Sequence, residues 1–145
     1  MRYFIGNWKM FGVPKSINIL KKINSFHSKD KNRRKYRVIF TPPYTLLETY
    51  AKYFRNKRIS IGSQNCYQKD LYSSNTAAVS PFMIRAVGAK YTLIGHSDNR
   101  SEGDTNDMLK DKVKFALKNN LKVVFCIGEN KKDNKNNRTY SVLKN

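Results

Sequence analysis

Cysteine and histidine are scarce in this sequence, which has two residues of each type. Cys66 and Cys126 lie far apart and follow no disulfide or C-x-x-C pattern, so we expect free thiols in a reducing compartment. Because clustered cysteines are also missing, we expect no transition-metal site. No apolar run approaches the roughly 18 residues of a membrane span, and Met1–Gly6 is too short for a signal peptide. We therefore expect a cytoplasmic protein without a membrane segment.

Acidic residues are few as well, since 10 Asp and Glu oppose 29 Lys and Arg and leave a net charge of +19. Such a surplus attracts phosphates, nucleic acid or an anionic membrane surface, but it does not specify a fold. One interpretation is a nucleic-acid-binding module. The other is an enzyme whose coding sequence favours lysine and asparagine, as in the run Asn130–Asn137. The hydrophobic share of 39% is enough for a globular core under either interpretation.

Short segments rich in β-branched and aromatic residues predict five strands. They are Arg2–Ile5, Tyr36–Phe40, Arg58–Ile61, Lys90–Ile94 and Leu121–Ile127. Longer segments with helical spacing separate them, and this alternation predicts right-handed β-α-β units and a parallel sheet. The last strand is continuously apolar, which is typical of a strand buried on both faces.

Helical periodicity predicts three long helices, over Pro14–Phe26, Tyr44–Phe54 and Asp107–Asn119. Their expected apolar stripes are, in chain order, Ile19, Ile23 and Phe26, then Leu47, Ala51 and Phe54, then Leu109, Val113, Ala116 and Leu117. A shorter helix is expected to begin with Ser80 as N-cap and Pro81 as its first residue, and to end near Gly88. Thr139–Leu143 has the pattern of the opening of another helix.

Polar side chains follow two of the predicted strands, at the carboxyl ends where parallel sheets carry their functional loops. Lys9 follows the first strand, and its ammonium can meet a phosphate or a developing oxyanion together with Asn7. His96 follows the fourth strand, where a neutral imidazole can donate to a carbonyl oxygen and transfer protons. Each residue alone also fits a structural role, as a solvated lysine or a satisfied loop histidine. His27 is expected to be a half-exposed residue that suits the carboxyl end of a helix.

Five short motifs occur in one order along the chain, and together they are more specific than any one of them. They are GNWKM at Gly6–Met10, QNC at Gln64–Cys66, the pair Ser80-Pro81, IGHS at Ile94–Ser97 and CIGE at Cys126–Glu129. In order and spacing they closely resemble the triosephosphate isomerase family. The resemblance extends from Arg2 to about Leu143, which is essentially the whole chain.

This resemblance implies an aldose–ketose isomerase that interconverts dihydroxyacetone phosphate and glyceraldehyde 3-phosphate through an enediolate, without a cofactor. Asn7 and Lys9 match the family's substrate-binding pair, and His96 matches the electrophile that polarises the substrate carbonyl. The implied fold is an incomplete TIM (β/α)8 barrel, with five parallel strands and intervening helices. A complete barrel needs about 250 residues, so we expect residues 1–145 to form a partial domain that stops at the start of the fifth helix.

The largest departure from the family is the absence of three further strands from this sequence. Their loops carry the glutamate that abstracts the substrate proton, a mobile lid and a glycine-rich phosphate cradle. Loss of a general base alone removes about 10²- to 10⁴-fold in rate, so we expect the isolated chain to be nearly inactive. An open half-barrel also exposes two sheet edges, which predicts a chain that aggregates or remains molten.

Two smaller departures concern charged side chains. Asp98 and Asn99 occupy the first two positions where family members usually read Glu-Arg-Arg, and the shorter Asp98 weakens the expectation that this carboxylate contacts Lys9. Ala77 and Ala78 replace the Gly-Glu of the family's third loop. The acid and the arginine that the family places near its homodimer contact are therefore both missing. Either the two residues were lost together, or the dimer contact itself has relaxed.

The sequence leaves two function classes open. The first is a partial triosephosphate isomerase, whether a fragment, a degraded gene product or half of a split enzyme, with a small phosphorylated triose as its partner. The second is a basic nucleic-acid-binding module, which only the net charge supports. Basic residues are dispersed along every segment, and the sequence contains no RNA-recognition, zinc-finger or helix-turn-helix signature, so we do not expect a nucleic-acid partner.

Overall fold

A computed structural model describes residues 1–144 and contains one sheet of five strands. The strands are β1 (Arg2–Asn7), β2 (Tyr36–Thr41), β3 (Ser60–Ser63), β4 (Tyr91–Ile94) and β5 (Lys122–Phe125). Neighbours in the sheet follow chain order, and every neighbouring pair is parallel. The predicted α/β fold, an incomplete barrel of five parallel strands with intervening helices, is therefore confirmed.

Seven α-helices occur in the described residues, and a 3₁₀ turn at Pro14–Ser16 leads into the first. They are α1 (Ile17–Lys29), α2 (Tyr44–Phe54), α3 (Pro81–Ala86), α4 (Ser97–Ser101), α5 (Asn106–Lys118), α6 (Lys131–Lys135) and α7 (Thr139–Lys144). The three long predicted helices are present within a few residues of their expected ends. None of the helices within residues 1–144 is long and apolar enough to cross a membrane.

Serine, threonine and asparagine side chains cap three of the helix starts. Ser80 Oγ accepts the amide of Met83 at α3, as predicted, and Thr105 Oγ1 accepts the amide of Met108 at α5. The helix α6 was not predicted, because the run that contains it looked like compositional bias. Its cap is Asn130, whose Oδ1 accepts an amide hydrogen from α6 at 2.8 Å. An asparagine-rich run thus contains a specific helix start.

The main core lies between the helices and one face of the sheet. Its buried members are Leu20, Leu46, Leu47, Tyr50, Ala51, Phe54, Ile59, Ile61, Cys66, Ile84, Ala89, Ile94, Leu109, Ala116 and Leu121. The predicted stripe of α2 is buried in full, and that of α5 is buried except at its partly buried Val113 and its exposed last member, Leu117. This core is what holds the curved sheet against its outer helices.

The predicted stripe of α1 was wrong. Ile19 and Phe26 are 57% and 75% exposed, whereas Leu20 is fully buried. The buried stripe contains Leu20, the partly buried Ile23 and His27, which have the same three- and four-residue spacing as the predicted stripe. The two stripes are adjacent and share Ile23. Hydrophobic periodicity favours the wrong one, because the buried position 27 holds a polar histidine and the exposed position 26 an apolar phenylalanine.

The expected half-exposed position of His27 was also wrong, since only 3% of this residue is exposed. Its ring stacks on Tyr36 with centroids 4.7 Å apart, and neither ring nitrogen has a hydrogen-bond partner in the described structure. The reason is that α1 turns this side chain toward β2 rather than toward solvent. A buried polar group is thereby left unsatisfied at one edge of the sheet.

The prediction that the last strand is buried on both faces was wrong as well. β5 ends at Phe125, which is 47% exposed, and the following Ile127 is 67% exposed. Within residues 1–144, β5 lies at the edge of the sheet and pairs with β4 alone, so no further strand lies along its other side. β1 forms the opposite edge, and its Tyr3 and Phe4 are each 56% exposed. The two expected open edges are therefore present.

Truncation of Leu20 and of Ile19 to alanine provides a matched test of the α1 orientation. Leu20→Ala should lower the free energy of unfolding by about 2–5 kcal/mol, because it leaves a cavity in the core. Ile19→Ala should change it by less than about 0.5 kcal/mol, because this side chain faces solvent. Urea denaturation followed by circular dichroism measures both, and equal losses would contradict the orientation.

Candidate active site

Asn7, Lys9 and His96 lie together at the carboxyl end of the sheet, as the sequence predicted. Asn7 ends β1, Lys9 lies in the loop that follows, and His96 lies two residues beyond β4. All three line a single cavity of about 520 Å³, which Tyr44 and Gln64 also line. The parallel sheet thus brings residues that are almost 90 positions apart in sequence into one site.

Hydrogen bonds hold the backbone of Lys9 from two sides. Its amide donates to Asn7 Oδ1 at 2.9 Å, and its carbonyl oxygen accepts from Gln64 Nε2 at 2.8 Å. The same Gln64 nitrogen donates to the carbonyl oxygen of Thr41 at 2.9 Å, which ties the loop to β2. These bonds support a left-handed backbone at Lys9, where φ is 51°. Gln64 belongs to one of the five sequence motifs, but the motif gave no sign of this supporting role.

The imidazole of His96 has a defined hydrogen-bonding state. Its Nδ1 accepts the backbone amide of Asp98 at 3.2 Å, at the start of α4. A nitrogen that accepts a hydrogen bond carries no proton, so the neutral ring has its N–H at Nε2. The side chain is 23% exposed. With Nδ1 used in this bond, Nε2 is the nitrogen left for a ligand.

Asp98 connects the two candidate residues. Its Oδ2 lies 3.3 Å from Lys9 Nζ and 3.5 Å from His96 Nδ1. The contact with Lys9 that the shorter side chain put in doubt is therefore present, because α4 begins directly after His96 and brings Asp98 beside the loop after β1. The Lys9 and Asp98 side chains are 54% and 56% exposed, so the pair contributes at most about 1 kcal/mol. The ammonium remains available to an anion.

Arg100 forms hydrogen bonds with the backbone just beyond the ends of β4 and β5. Its Nε donates to the carbonyl oxygen of Gly95 at 2.8 Å, and its Nη2 donates to that of Cys126 at 3.2 Å. Gly95 has φ of +77°, and a Cβ there would lie 2.9 Å from the Arg100 guanidinium. The positive φ favours glycine at this position, because residues with a Cβ rarely adopt it. The sequence pattern assigned Arg100 no role, although this residue lies three positions beyond the IGHS motif.

A buried ion pair supports the loop after β3. Lys112 is 3% exposed, and its Nζ donates to both carboxylate oxygens of Asp104 at 2.7 Å and to Asn65 Oδ1 at 3.1 Å. Burial raises the pKa of the neighbouring Cys66 thiol to about 12. Tyr44 donates its hydroxyl to the carbonyl oxygen of Asn65, and burial raises its pKa. Lys112 is one of the many basic residues dispersed along the chain, and its sequence surroundings give no sign of burial.

The loop after β5 is organised around Glu129 of the CIGE motif. The carboxylate accepts from Asn134 Nδ2 at 2.7 Å and from Thr139 Oγ1 at 3.1 Å. The hydrogen bond from Asn134, together with that from Thr139, holds the pKa of Glu129 below its usual value. Glu129 therefore connects α6 with the start of α7. Within residues 1–144, no three His, Cys, Asp or Glu side chains are grouped as metal ligands.

The fold and site define the class of protein: a partial (β/α)8 barrel whose polar cavity lies at the carboxyl ends of its strands. A family model described as triosephosphate isomerase matches residues 2–145. The chain belongs to the triosephosphate isomerase family.

Individual relatives agree with this assignment. The chain is 31% identical to the triosephosphate isomerase of Wolbachia pipientis wMel over 96% of its own length and 54% of the relative's. It is 35% identical to the triosephosphate isomerase of Bacteroides fragilis over 95% of its own length and 55% of the relative's. The crystal structure of triosephosphate isomerase from Bartonella henselae superposes with a TM-score of 0.91 at 30% identity, covering 99% of this chain and 58% of that one. The chain spans about half the length of the curated relatives it matches.

The two lysine–aspartate pairs of the site region should differ in their effect on stability. Asp104→Ala leaves the buried ammonium of Lys112 without its carboxylate, and we expect a loss of about 3–5 kcal/mol in the free energy of unfolding. Asp98→Ala removes an exposed partner of Lys9 and should cost less than about 1 kcal/mol. Urea unfolding of both variants measures the difference. Similar small losses would contradict the buried pair.

The two thiols provide a test that depends on pH. At pH 8 the thiol of Cys66 should react with iodoacetamide much more slowly than that of Cys126, because its higher pKa and burial leave almost no accessible thiolate. Burial also raises the pKa of Cys126, so both rates should increase as the pH is raised from 7 to 9. Peptide mass spectrometry after timed labelling measures each rate. Faster labelling of Cys66 would contradict the packing around it.

Proposed function

We propose that this chain supplies the substrate-binding and carbonyl-polarising part of a triosephosphate isomerase site. The reaction is the interconversion of dihydroxyacetone phosphate and glyceraldehyde 3-phosphate. The observation that carries the proposal is that Lys9 Nζ and His96 Nδ1 lie 3.3 and 3.5 Å from one oxygen of Asp98, in a single cavity. An ammonium and a neutral imidazole so placed suit a small phosphorylated carbonyl compound.

The proposed chemistry follows from the charges that develop in the reaction. Removal of a proton from the carbon beside the carbonyl leaves an enediolate, whose negative charge is on oxygen. The Nε2–H of His96 donates to this oxygen, and the ammonium of Lys9 stabilises the same charge and that of the phosphate. Asn7 accepts the Lys9 amide and thereby keeps the loop after β1 in place. These roles need no cofactor, and we propose none.

The carboxylate that abstracts the proton is proposed to come from the portion of the fold that the relatives carry beyond the matched region. Asp98 is not proposed for this role, because its carboxylate is already paired with the ammonium of Lys9 at 3.3 Å. A missing general base lowers the rate by about 10²- to 10⁴-fold. The chain by itself is therefore proposed to bind substrate while turning it over very slowly.

A second copy of the chain is proposed as a partner at the loops after β1 and β3. Met10 and Phe11 in the first loop are 94% and 75% exposed, and Leu71 and Tyr72 in the second are 51% and 77% exposed. Exposed apolar side chains grouped on functional loops are typical of a protein contact.

We also propose a reducing, cytoplasmic setting, which the free thiols of this chain support.

Reconstitution tests the proposed roles of Lys9 and His96. We expect isomerase activity when the chain is mixed with the C-terminal portion of the Bartonella henselae enzyme that lies beyond the matched region. Lys9→Met and His96→Gln should each reduce that activity at least about 100-fold, because each removes stabilisation of the enediolate oxygen. Lys15→Met is the control, since this lysine lies in the turn before α1. A coupled assay for glyceraldehyde 3-phosphate measures the rate.

Binding by the isolated chain provides a second readout that needs no complement. Dihydroxyacetone phosphate should shift the His96 ring resonances in a proton NMR titration, and Lys9→Met should weaken this binding. Unchanged resonances at millimolar ligand, or full reconstituted turnover in Lys9→Met, would overturn the proposed function.

A further inference from the structure

The fold gathers basic residues at one end of the sheet, although they are dispersed along the sequence. Loops that lead from a helix into the next strand lie at the amino ends of parallel strands. Here these loops span residues 30–35, 55–59, 87–90 and 119–121. They contain eight lysines and arginines, seven of them in the first two loops, and a single acid, Asp30. We call the surface that these four loops form the basic face.

The loops at the opposite end of the sheet are balanced in charge. They lead from each strand toward the next helix and span residues 8–13, 42–43, 64–80, 95–96 and 126–130. They contain two cations, Lys9 and Lys69, and two acids, Asp70 and Glu129. The charge surplus of the loops is therefore concentrated at the end that lies away from the candidate active site. Dispersal along the sequence was the reason to expect no nucleic-acid partner, and that reason does not hold for the folded chain.

The cations of the basic face are not neutralised by the protein. Within residues 1–144, no lysine or arginine of these loops forms an ion pair with a carboxylate. Asp30 is already used, because it accepts the hydroxyl of Tyr36 at 2.6 Å and the amide of Asn32 at 2.8 Å. In these described loops no large apolar side chain is exposed, whereas surfaces that enter lipid normally present such side chains. The basic face thus suits a polyanion in water better than a membrane.

A polar cavity of about 420 Å³ lies where the second of these loops meets α1. It is lined by Asn24, Ser28, Asn56, Lys57 and Arg58. The Oδ1 atom of Asn24 accepts the amides of Arg58 and Ile59 at 3.0 and 3.3 Å, which holds the loop against the helix. The NH₂ group of Asn24 and the charged groups of Lys57 and Arg58 are left to donate to a ligand. Such donors suit a phosphate group.

An exposed aromatic ring adjoins this cavity. Tyr53, near the end of α2, is 42% exposed, and the ammonium groups of Lys21 and Lys57 each lie 4.9 Å from the centroid of its ring. Lys57 therefore belongs both to the cavity and to the surroundings of the ring. Aromatic rings beside a basic groove bind unpaired bases by stacking, while the cations bind the phosphates. The ring distinguishes a nucleic acid from a polyphosphate, which has no bases.

We propose that the basic face, together with Tyr53, binds single-stranded nucleic acid. The cations of the loops bind successive phosphates, one of which lies in the cavity beside Lys57 and Arg58. One base stacks on Tyr53 and takes the place of a lysine ammonium, which then meets the adjacent phosphate. Stacking and phosphate contacts do not read base edges, so the binding tolerates different sequences. This inference does not rest on the proposed function, because the two sites lie at opposite ends of the sheet.

Paired substitutions separate a local site from attraction by net charge. The probe is fluorescein-labelled oligothymidine of about 12 nucleotides, and anisotropy measures its affinity for the chain. Lys57→Gln combined with Arg58→Gln should weaken binding at least about tenfold and reduce the slope of log affinity against log salt by about 1.4, because two phosphate contacts are lost. Lys131→Gln combined with Lys132→Gln is the matched control. It removes two exposed charges from α6 and should weaken binding less than about threefold. Equal weakening by both pairs would show attraction by net charge only and overturn the inference.

The variant Tyr53→Leu tests the stacking. It should weaken oligothymidine binding about tenfold, because the stacked base loses its ring. Its affinity for inorganic polyphosphate should remain unchanged, since this polymer contacts the cations alone. Circular dichroism confirms that each variant keeps the helix content of the original chain. Unchanged oligothymidine binding, or equal weakening for both polymers, would overturn the role of Tyr53 and with it the assignment to a nucleic acid.

Two competing ligands complete the test. They are duplex DNA of the same length and vesicles of equal parts phosphatidylcholine and phosphatidylserine. At the same salt concentration we expect both to bind more weakly than oligothymidine, because a duplex hides its bases from Tyr53 and the basic face has no exposed apolar side chains to enter lipid. Tighter binding of the duplex or of the vesicles would overturn the inference.

Discussion

The parallel direction of the five strands is the constraint on which the rest of the structure depends. Parallel pairing places every strand's carboxyl end on the same side of the sheet, so loops distant in sequence meet there. Asn7, Lys9 and His96 are brought together in this way, and Asp98 and Gln64 then fix their orientation through direct contacts. The position of the site therefore depends first on the direction of the strands and then on the individual side chains.

Most of this arrangement could be predicted from the sequence, because strand patterns and strand-end motifs are local signals. The strands, the long helices and the meeting of Asn7, Lys9 and His96 at one end of the sheet were predicted in this way. Three features depend on which surfaces meet, and local patterns do not record that. His27 and Lys112 look like ordinary polar residues of amphipathic helices until the fold buries them. The apolar run of β5 indicates burial, but its position in the sheet leaves it partly exposed.

Asp98 shows how a shortened side chain can be compensated by its position. The first turn of α4 starts immediately after His96, and this places the carboxylate of Asp98 3.5 Å from the imidazole. Its contact with Lys9 also depends on the left-handed backbone of that lysine, which turns the loop toward α4. The site thus tolerates a change in one side chain because the backbone on both sides is held by other hydrogen bonds, including those of Gln64 and Arg100.

The curvature of the sheet is preserved without a closed ring of strands, as its close superposition on a much longer relative demonstrates. Neighbour-to-neighbour twist and the helices packed outside are sufficient to set it. The hydrogen bonds and ion pairs that position Lys9 and His96 all lie within residues 1–144, so this wall of the site carries its own internal supports.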